Sequence, residues 1–266
     1  MIELILPLII LGIFSGLLSG FFGIGSGIIL VPAYIFLFEY LGFPPEIIPF
    51  MATGSSGATM VFALSSGAYV HNKNKNVELN IIKLMIPGII LGTILGRFAS
   101  IEIGYENVNL LISVFLIAVA FQLALNFEPK KIKEKSSAFE KTIGSSSIGF
   151  LASIVGIGGG IIMVPYFKYR GSSMHKAIGN SSTLGWFIAL TMTISAYFIY
   201  PETDQKIPYA LGSLYLPAIL IVGLTSIYFA RIGANLSSKS QDKTLRYAFA
   251  ILVIIGAVRI FFKNFL

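Results

Sequence analysis

Two glycine-rich runs have the composition of an anion-binding backbone. The first is Gly23–Gly27 and the second is Gly156–Gly160, and a Val-Pro pair follows each run at the same distance. A glycine inside a helix costs about 1 kcal/mol relative to alanine, so a helix is expected to break at each run. The helix that begins after a break presents free N–H groups and the positive end of its dipole, and both attract an anion. The predicted binding residues are Gly23, Gly25, Ser26, Gly27, Gly156, Gly158, Gly159 and Gly160.

Polar side chains cluster at matched places downstream of each run. Ser55 and Ser56 stand in the first cluster, and Asn180 and Ser181 stand in the second. Hydroxyl and amide groups suit the oxygens of a small oxyanion, so these four residues are predicted to bind the substrate. The alternative is that each hydroxyl bonds back to its own helix.

Two arginines and two histidines are the remaining candidates. Arg97 and Arg231 are predicted to end apolar segments at matched positions, either as anchors at the membrane interface or as charges that draw anions into a pathway. His71 and His175 lie in basic loops, where solvation is favoured over a role in proton coupling. No carboxylate lies deep in an apolar segment, so the coupling ion, a proton or sodium, is left open.

The composition is that of a polytopic membrane protein. The chain has 266 residues, of which 55% are hydrophobic and 12% are charged, and its mean hydropathy is +0.84. Soluble domains carry roughly 25% charged residues. The net charge of +7 comes from lysines in loops between apolar segments. This distribution is typical of membrane topology and does not indicate nucleic-acid binding.

About ten apolar segments are predicted, and two of them are short for a span of roughly 20 residues. Glycines recur every four residues at 12, 16 and 20 and again at 88, 92 and 96, which predicts close helix packing. If the short segments belong to broken passages, the count falls to eight. The segments are 2–22, 23–40, 46–70, 79–98, 107–127, 139–156, 157–170, 175–200, 208–231 and 244–264.

The chain repeats itself, and the repeats are predicted to be inverted. The glycine runs correspond with an offset of 133 residues, and the polar clusters correspond with an offset of 125. Each loop that is basic in one half is acidic or weakly basic in the other, and basic loops stay cytoplasmic. We therefore expect a first repeat over 1–128, a basic cytoplasmic linker over 129–141 and a second repeat over 142–266. Two parallel halves of four spans are the rival topology.

Enzyme and nucleotide-binding functions find little support. The chain has no cysteine, no His/Glu metal set and no nucleophile elbow with partners at membrane depth. Gly23–Gly27 lacks the Gly-Lys-Ser/Thr of a phosphate-binding loop. No cofactor is therefore expected.

Three features together resemble the sulfite exporter TauE/SafE family, also called the toluenesulfonate uptake permease family. They are the glycine runs, the paired Ala-x-Gly-polar-Ser motifs at 52–56 and 177–181, and the Gly-x-x-x-Gly-Arg motif at 92–97. The resemblance covers nearly the whole chain. It implies an integral plasma-membrane transporter of small anions such as sulfite, sulfonates and sulfoacetate. The sequence departs from the family pattern at Ser26, Ser55, Asn180 and Ala230.

The sequence thus predicts an all-α integral membrane protein of two inverted five-segment repeats with broken helices. Its predicted function is alternating-access transport of a small anion across the cell membrane, namely sulfite, a sulfonate or a related organosulfur compound. An uncoupled anion channel and a scaffold subunit without transport are the alternatives. The predicted partners are the anion and the lipid bilayer, and the oligomeric state is left open.

Overall fold

The computed structural model describes residues 2–124, 138–203 and 205–241, which are almost entirely helical, as predicted. The helices of the first half are α1 Ile2–Phe22, α2 Gly27–Tyr40, α3 Ile48–Lys73 and α4 Leu79–Ala124. Those of the second half are α5 Ala138–Val155, α6 Gly160–Tyr169, α7 Met174–Phe198 and α8 Leu216–Lys239. A short antiparallel hairpin, β1 Ala210–Leu211 and β2 Leu214–Tyr215, precedes α8.

Helix α4 contains two of the predicted segments. Gly104 has φ of +80° and ψ of +166°, which interrupts the helix between its longer first part and its second part. Only glycine adopts this backbone conformation readily. The predicted linker, up to residue 137, and the predicted segment 244–264 lie outside the described residues.

Three helices of the described residues are long and apolar enough to cross a membrane, over Glu3–Phe22, Leu79–Phe115 and Leu216–Lys239. Gly27–Tyr40 and Thr142–Val155 are shorter apolar helices. These helices fit the predicted multi-pass membrane protein. The count of ten spans and the inverted arrangement remain predictions.

The predicted ends at Arg97 and Arg231 were wrong. The first part of α4 continues beyond Arg97 to the break at Gly104, and α8 continues to Lys239. The segment predicted over 208–231 also begins later than expected, because residues 210–215 form the hairpin and α8 starts after it. Gly212, at φ of +57°, allows the hairpin turn, and a proline in the first turn of α8 sets the helix start after it.

Helices α3 and α7 form the centre of the fold. Every residue from 51 to 60 of α3 is buried, and so is every residue from 177 to 182 of α7. Both stretches contain the predicted polar clusters. Because other helices surround them, their serine, threonine and asparagine side chains have protein neighbours instead of lipid.

The glycine ladders join helices from different halves, which confirms their predicted packing role. A Cβ on Gly16 of α1 would lie 2.6 Å from the Ser226 carbonyl oxygen of α8. A Cβ on Gly92 of α4 would collide with the Ser146 carbonyl oxygen of α5. Small residues let helix backbones approach in this way. Each half therefore packs its first helix against the fourth helical segment of the other half.

Candidate functional site

Both glycine runs interrupt the helical backbone. Gly23 and Gly25 have φ of +64° between α1 and α2, and Gly156 and Gly159 have φ of +79° and +69° between α5 and α6. A residue with a Cβ adopts such values at a cost, so these four positions need glycine. The chain leaves the helix here and begins a new one at Gly27 and at Gly160.

The two breaks touch each other, although 133 residues separate them along the chain. A Cβ on Gly25 would lie 3.1 Å from the Gly158 Cα, and a Cβ on Gly27 would lie 2.6 Å from the Ile157 Cα. A Cβ on Gly160 would overlap the Ile24 Cα. The glycines thus have a packing role, since they allow backbone to lie directly on backbone.

Each break is bonded by one serine from the central helix of the other half. The Ser56 hydroxyl donates to the Gly156 carbonyl oxygen at 2.9 Å, and the Ser181 hydroxyl donates to the Gly23 carbonyl oxygen at 3.0 Å. These carbonyls lie at the ends of α5 and α1, where helical partners run out. The equivalent serines therefore make equivalent bonds in opposite directions between the halves.

Ser55 and Asn180 also make equivalent contacts. The Ser55 hydroxyl accepts from the Tyr215 N–H at 3.0 Å, and the Asn180 Oδ1 accepts from the Glu78 N–H at 2.7 Å. Tyr215 and Glu78 directly precede α8 and α4. The two side chains thus fix the starts of these helices, and their predicted contact with a substrate stays a prediction.

The helices that begin at the breaks have unused hydrogen-bond donors. Within the described part of the chain, no acceptor bonds the N–H groups of Gly27, Ile28, Gly160 or Ile161. The hydroxyl of Ser26, a residue that is 2% exposed, likewise has no partner among the described residues. Buried donors are nearly always bonded, so these groups are candidates to bind an acceptor.

Arg97 is a buried cation that is linked to the second break through Thr53. It is 3% exposed, and its guanidinium donates to the Ile199 carbonyl oxygen at 2.8 Å and to the Ser213 hydroxyl at 2.6 Å. A third N–H points to the Thr53 hydroxyl at 3.5 Å. All three acceptors are neutral, and no carboxylate among the described residues lies within ion-pair distance of Arg97.

Thr53 connects Arg97 to the second break, since a Cβ on Gly156 would lie 2.8 Å from the Thr53 methyl carbon. Arg231, in contrast, is exposed on α8. The two arginines occupy matched places in the sequence but have different surroundings. Sequence alone did not distinguish them, because both follow small residues in apolar helices.

The predicted solvation of His71 was wrong. Helix α3 continues through His71, which is 1% exposed, and its Nε2–H donates to the Gly20 carbonyl oxygen at 2.9 Å. The ring is buried because it packs on α1, which the loop-like local sequence does not reveal. His175 is half-buried at the start of α7 and bonds the Ser240 carbonyl oxygen at 3.0 Å.

Glu78 is a functional candidate that sequence reasoning missed. Its carboxylate accepts from the Lys176 ammonium at 3.2 Å and from the Asn180 amide at 3.0 Å. Glu78 and Lys176 lie in different halves and are 98 residues apart. No local sequence signal links Glu78 to Lys176, so the sequence alone did not predict this contact.

Comparisons with known proteins agree with the geometry of a membrane protein. The sequence profile of the sulfite exporter TauE/SafE family matches residues 8–260. A probable membrane transporter protein of Haemophilus influenzae is 30% identical over 266 residues, which cover 99% of this chain and all of that protein. A probable membrane transporter protein of Methanocaldococcus jannaschii is 29% identical over 257 residues, covering 95% of this chain and 94% of the relative.

A further relative, the probable membrane transporter protein YunE of Bacillus subtilis, is 23% identical over 277 residues and 97% of each chain. No solved structure matches the chain. Because the profile match extends over nearly the entire sequence, the protein belongs to the sulfite exporter TauE/SafE family of membrane transporters.

Proposed function

We propose that the protein transports small oxyanions, with sulfite and organic sulfonates as the substrate class, across the cell membrane. The observation that carries this proposal is the buried contact between two helix breaks whose first-turn N–H groups have no acceptor. Paired interrupted helices in corresponding places of two repeats are typical of the central site of secondary transporters. The family name adds support for sulfite as a substrate.

The surroundings of the breaks favour an anion over a cation or a neutral solute. Free N–H groups at the start of α2 and α6 supply donors and the positive ends of two helix dipoles. Arg97 adds a full positive charge. Burying a charge without a carboxylate partner in a membrane protein is expensive, so such a charge usually serves a function. A negatively charged guest would offset this cost.

An inverted repeat agrees with the contacts between halves. The bonds Ser56 to Gly156 and Ser181 to Gly23 are equivalent under the sequence repeat, and so are the contacts α1 with α8 and α5 with α4. Under this arrangement, the rocking of one half against the other exposes the central site to each face in turn. The breaks are buried in the present conformation, which fits an occluded state.

The test uses purified protein in proteoliposomes, with sulfite, sulfate, sulfoacetate and taurine as trial substrates. Ser26→Ala removes a hydroxyl that bonds none of the described residues, so we expect an unchanged melting temperature and a KM for sulfite raised about 3- to 10-fold. Thr93→Val is the matched control, because it removes another buried hydroxyl, on α4, that has no partner in the described part of the chain.

Arg97→Met provides a second comparison, with Arg231→Met as the control at the matched position. We expect Arg97→Met to lower anion flux at least about tenfold and Arg231→Met to leave it near the wild-type rate. Wild-type rates in both Ser26→Ala and Arg97→Met would refute the proposed site. Flux that ignores imposed proton and sodium gradients would favour an uncoupled facilitator.

A further inference from the structure

A polar cavity opens where α3 ends, α7 begins and α8 ends. Its volume is about 560 Å³. Its lining includes three asparagines, two lysines and a histidine, which are Asn74, Asn76, Asn235, Lys176, Lys239 and His175. None of the lining residues that the structure describes carries a carboxylate, so this described lining favours anions.

Glu78 lies next to this cavity and bonds one of its lining residues. Its carboxylate binds Lys176, a lining residue that is 46% exposed, and Asn180, which is fully buried. Lys176 and Asn180 are four residues apart on α7 and therefore share one face of the helix. We refer to Glu78, Lys176 and Asn180 as the Glu78 clasp.

The Glu78 clasp connects the cavity to the part of α7 that contacts the first helix break. Ser181 directly follows Asn180 and donates to the Gly23 carbonyl oxygen at 3.0 Å. The loop that carries Glu78 lies tightly on α7, because a Cβ on Gly179 would collide with the Asn76 carbonyl oxygen. Lys176 lines the cavity and Asn180 lies about one helical turn further along α7, so the clasp extends from the cavity into the buried part of α7.

The clasp already has the chemistry of an oxyanion site. One oxygen of the Glu78 carboxylate accepts from an ammonium group, and the other accepts from an amide N–H. A sulfite, sulfonate or carboxylate group has the same negative oxygens and would accept the same two bonds. The Glu78 carboxylate therefore stands where the oxygens of a small anion would stand.

We propose that Lys176 and Asn180 form an anion-binding site at the inner end of the polar cavity, and that the Glu78 carboxylate occupies this site until a substrate anion displaces it. The proposal rests on the proposed transport function, since it assigns the entrance of the same pathway. It also gives the halves a contact that breaks when the substrate arrives, because Glu78 belongs to one half and Lys176 to the other.

Opposite charge changes at the clasp provide the test. Glu78→Gln removes the competing charge, so the affinity for sulfite and sulfate should rise about 3- to 10-fold. Lys176→Gln removes the ammonium group, so the affinity for the same anions should fall by a similar factor. Calorimetric titration of the purified protein measures binding, and proteoliposome flux measures KM. Glu202→Gln and Lys206→Gln, in the loop between α7 and β1, are exposed controls that should leave both values unchanged.

A merely structural ion pair would respond differently. Loss of either partner would then weaken the fold, and both variants would shift the affinity in the same direction or leave it unchanged; either result overturns the proposal. If the wild-type protein neither binds nor transports sulfite, sulfate or sulfoacetate, the proposed function fails first. If the wild-type protein transports the anion but Glu78→Gln and Lys176→Gln shift the affinity in the same direction, only the proposal about the Glu78 clasp is overturned.

Discussion

Single hydroxyl groups determine how the two breaks are held. Ser56 and Ser181 each donate to a carbonyl at the end of a helix in the other half. The sequence predicted that these serines matter, because they stand at matched places in two polar clusters. It did not predict their acceptors, since a hydroxyl in a helix bonds its own backbone as readily as a distant carbonyl.

Alanine at either serine should destabilise the fold by a similar amount. Ser56→Ala and Ser181→Ala each remove the serine donor from a buried carbonyl, which typically costs about 1–3 kcal/mol. Thermal unfolding in detergent measures the effect. Ser147→Ala is the control, because the exposed Ser147 hydroxyl bonds the carbonyl of Ile143 on its own helix and no other described residue. A drop in melting temperature for one serine alone would contradict the equivalence of the two contacts.

The helices follow the sequence closely where glycine and apolar runs decide their bounds. Helix α1 occupies the predicted 2–22, and each glycine run separates two helices, with its last glycine as the first residue of the second helix. The errors at Arg97 and Arg231 have one cause, because in both cases a charged residue was taken to end a helix. Arg97 stays inside α4 because its guanidinium finds buried acceptors on Ile199 and Ser213, about 100 residues further along the chain. Such acceptors are visible only after folding.

The glycine ladders make a prediction about pairs of helices. Leucine at Gly92 would force α4 away from α5, because the Ser146 carbonyl oxygen occupies the space, and overpacking typically costs about 1–3 kcal/mol or more. Gly92→Leu should therefore lower the melting temperature and the yield of monodisperse protein. Gly144→Leu on α5 serves as the control, since a Cβ there meets no atom of the described residues within 4 Å. Equal losses in both variants would show that leucine itself, and not the helix contact, is responsible.

The two halves of the molecule depend on each other at every level of contact described above. Helix α1 packs on α8, α4 packs on α5, and the breaks, the serines and the Glu78 clasp all join one half to the other. The sequence repeat predicted two related halves. It did not reveal that their contacts cross over, because a repeat specifies similarity and not proximity.

Separately produced halves should therefore fold only together. We expect residues 1–128 alone to be degraded or aggregated, because the glycine faces of α1 and α4 lack their partners. Co-expression with residues 129–266 should restore a complex that copurifies through a tag on one half. Adding Gly16→Leu and Gly92→Leu to the first half should abolish copurification. A stable, monodisperse half on its own would contradict the crossed contacts.

The pairing of α1 with α8 also has a consequence for biosynthesis. Leu216 follows Phe22 by 194 residues, so at about 5–20 residues per second the ribosome needs roughly 10–40 s to supply the partner of the first helix. During that interval α1 lies in lipid with Gly12, Gly16 and Gly20 uncovered. A helix satisfies its own backbone hydrogen bonds, and the hydroxyl of Ser15 on α1 bonds the carbonyl of Gly12. Helix α1 is therefore stable in the membrane before α8 is synthesised, and its packing is completed when α8 is inserted.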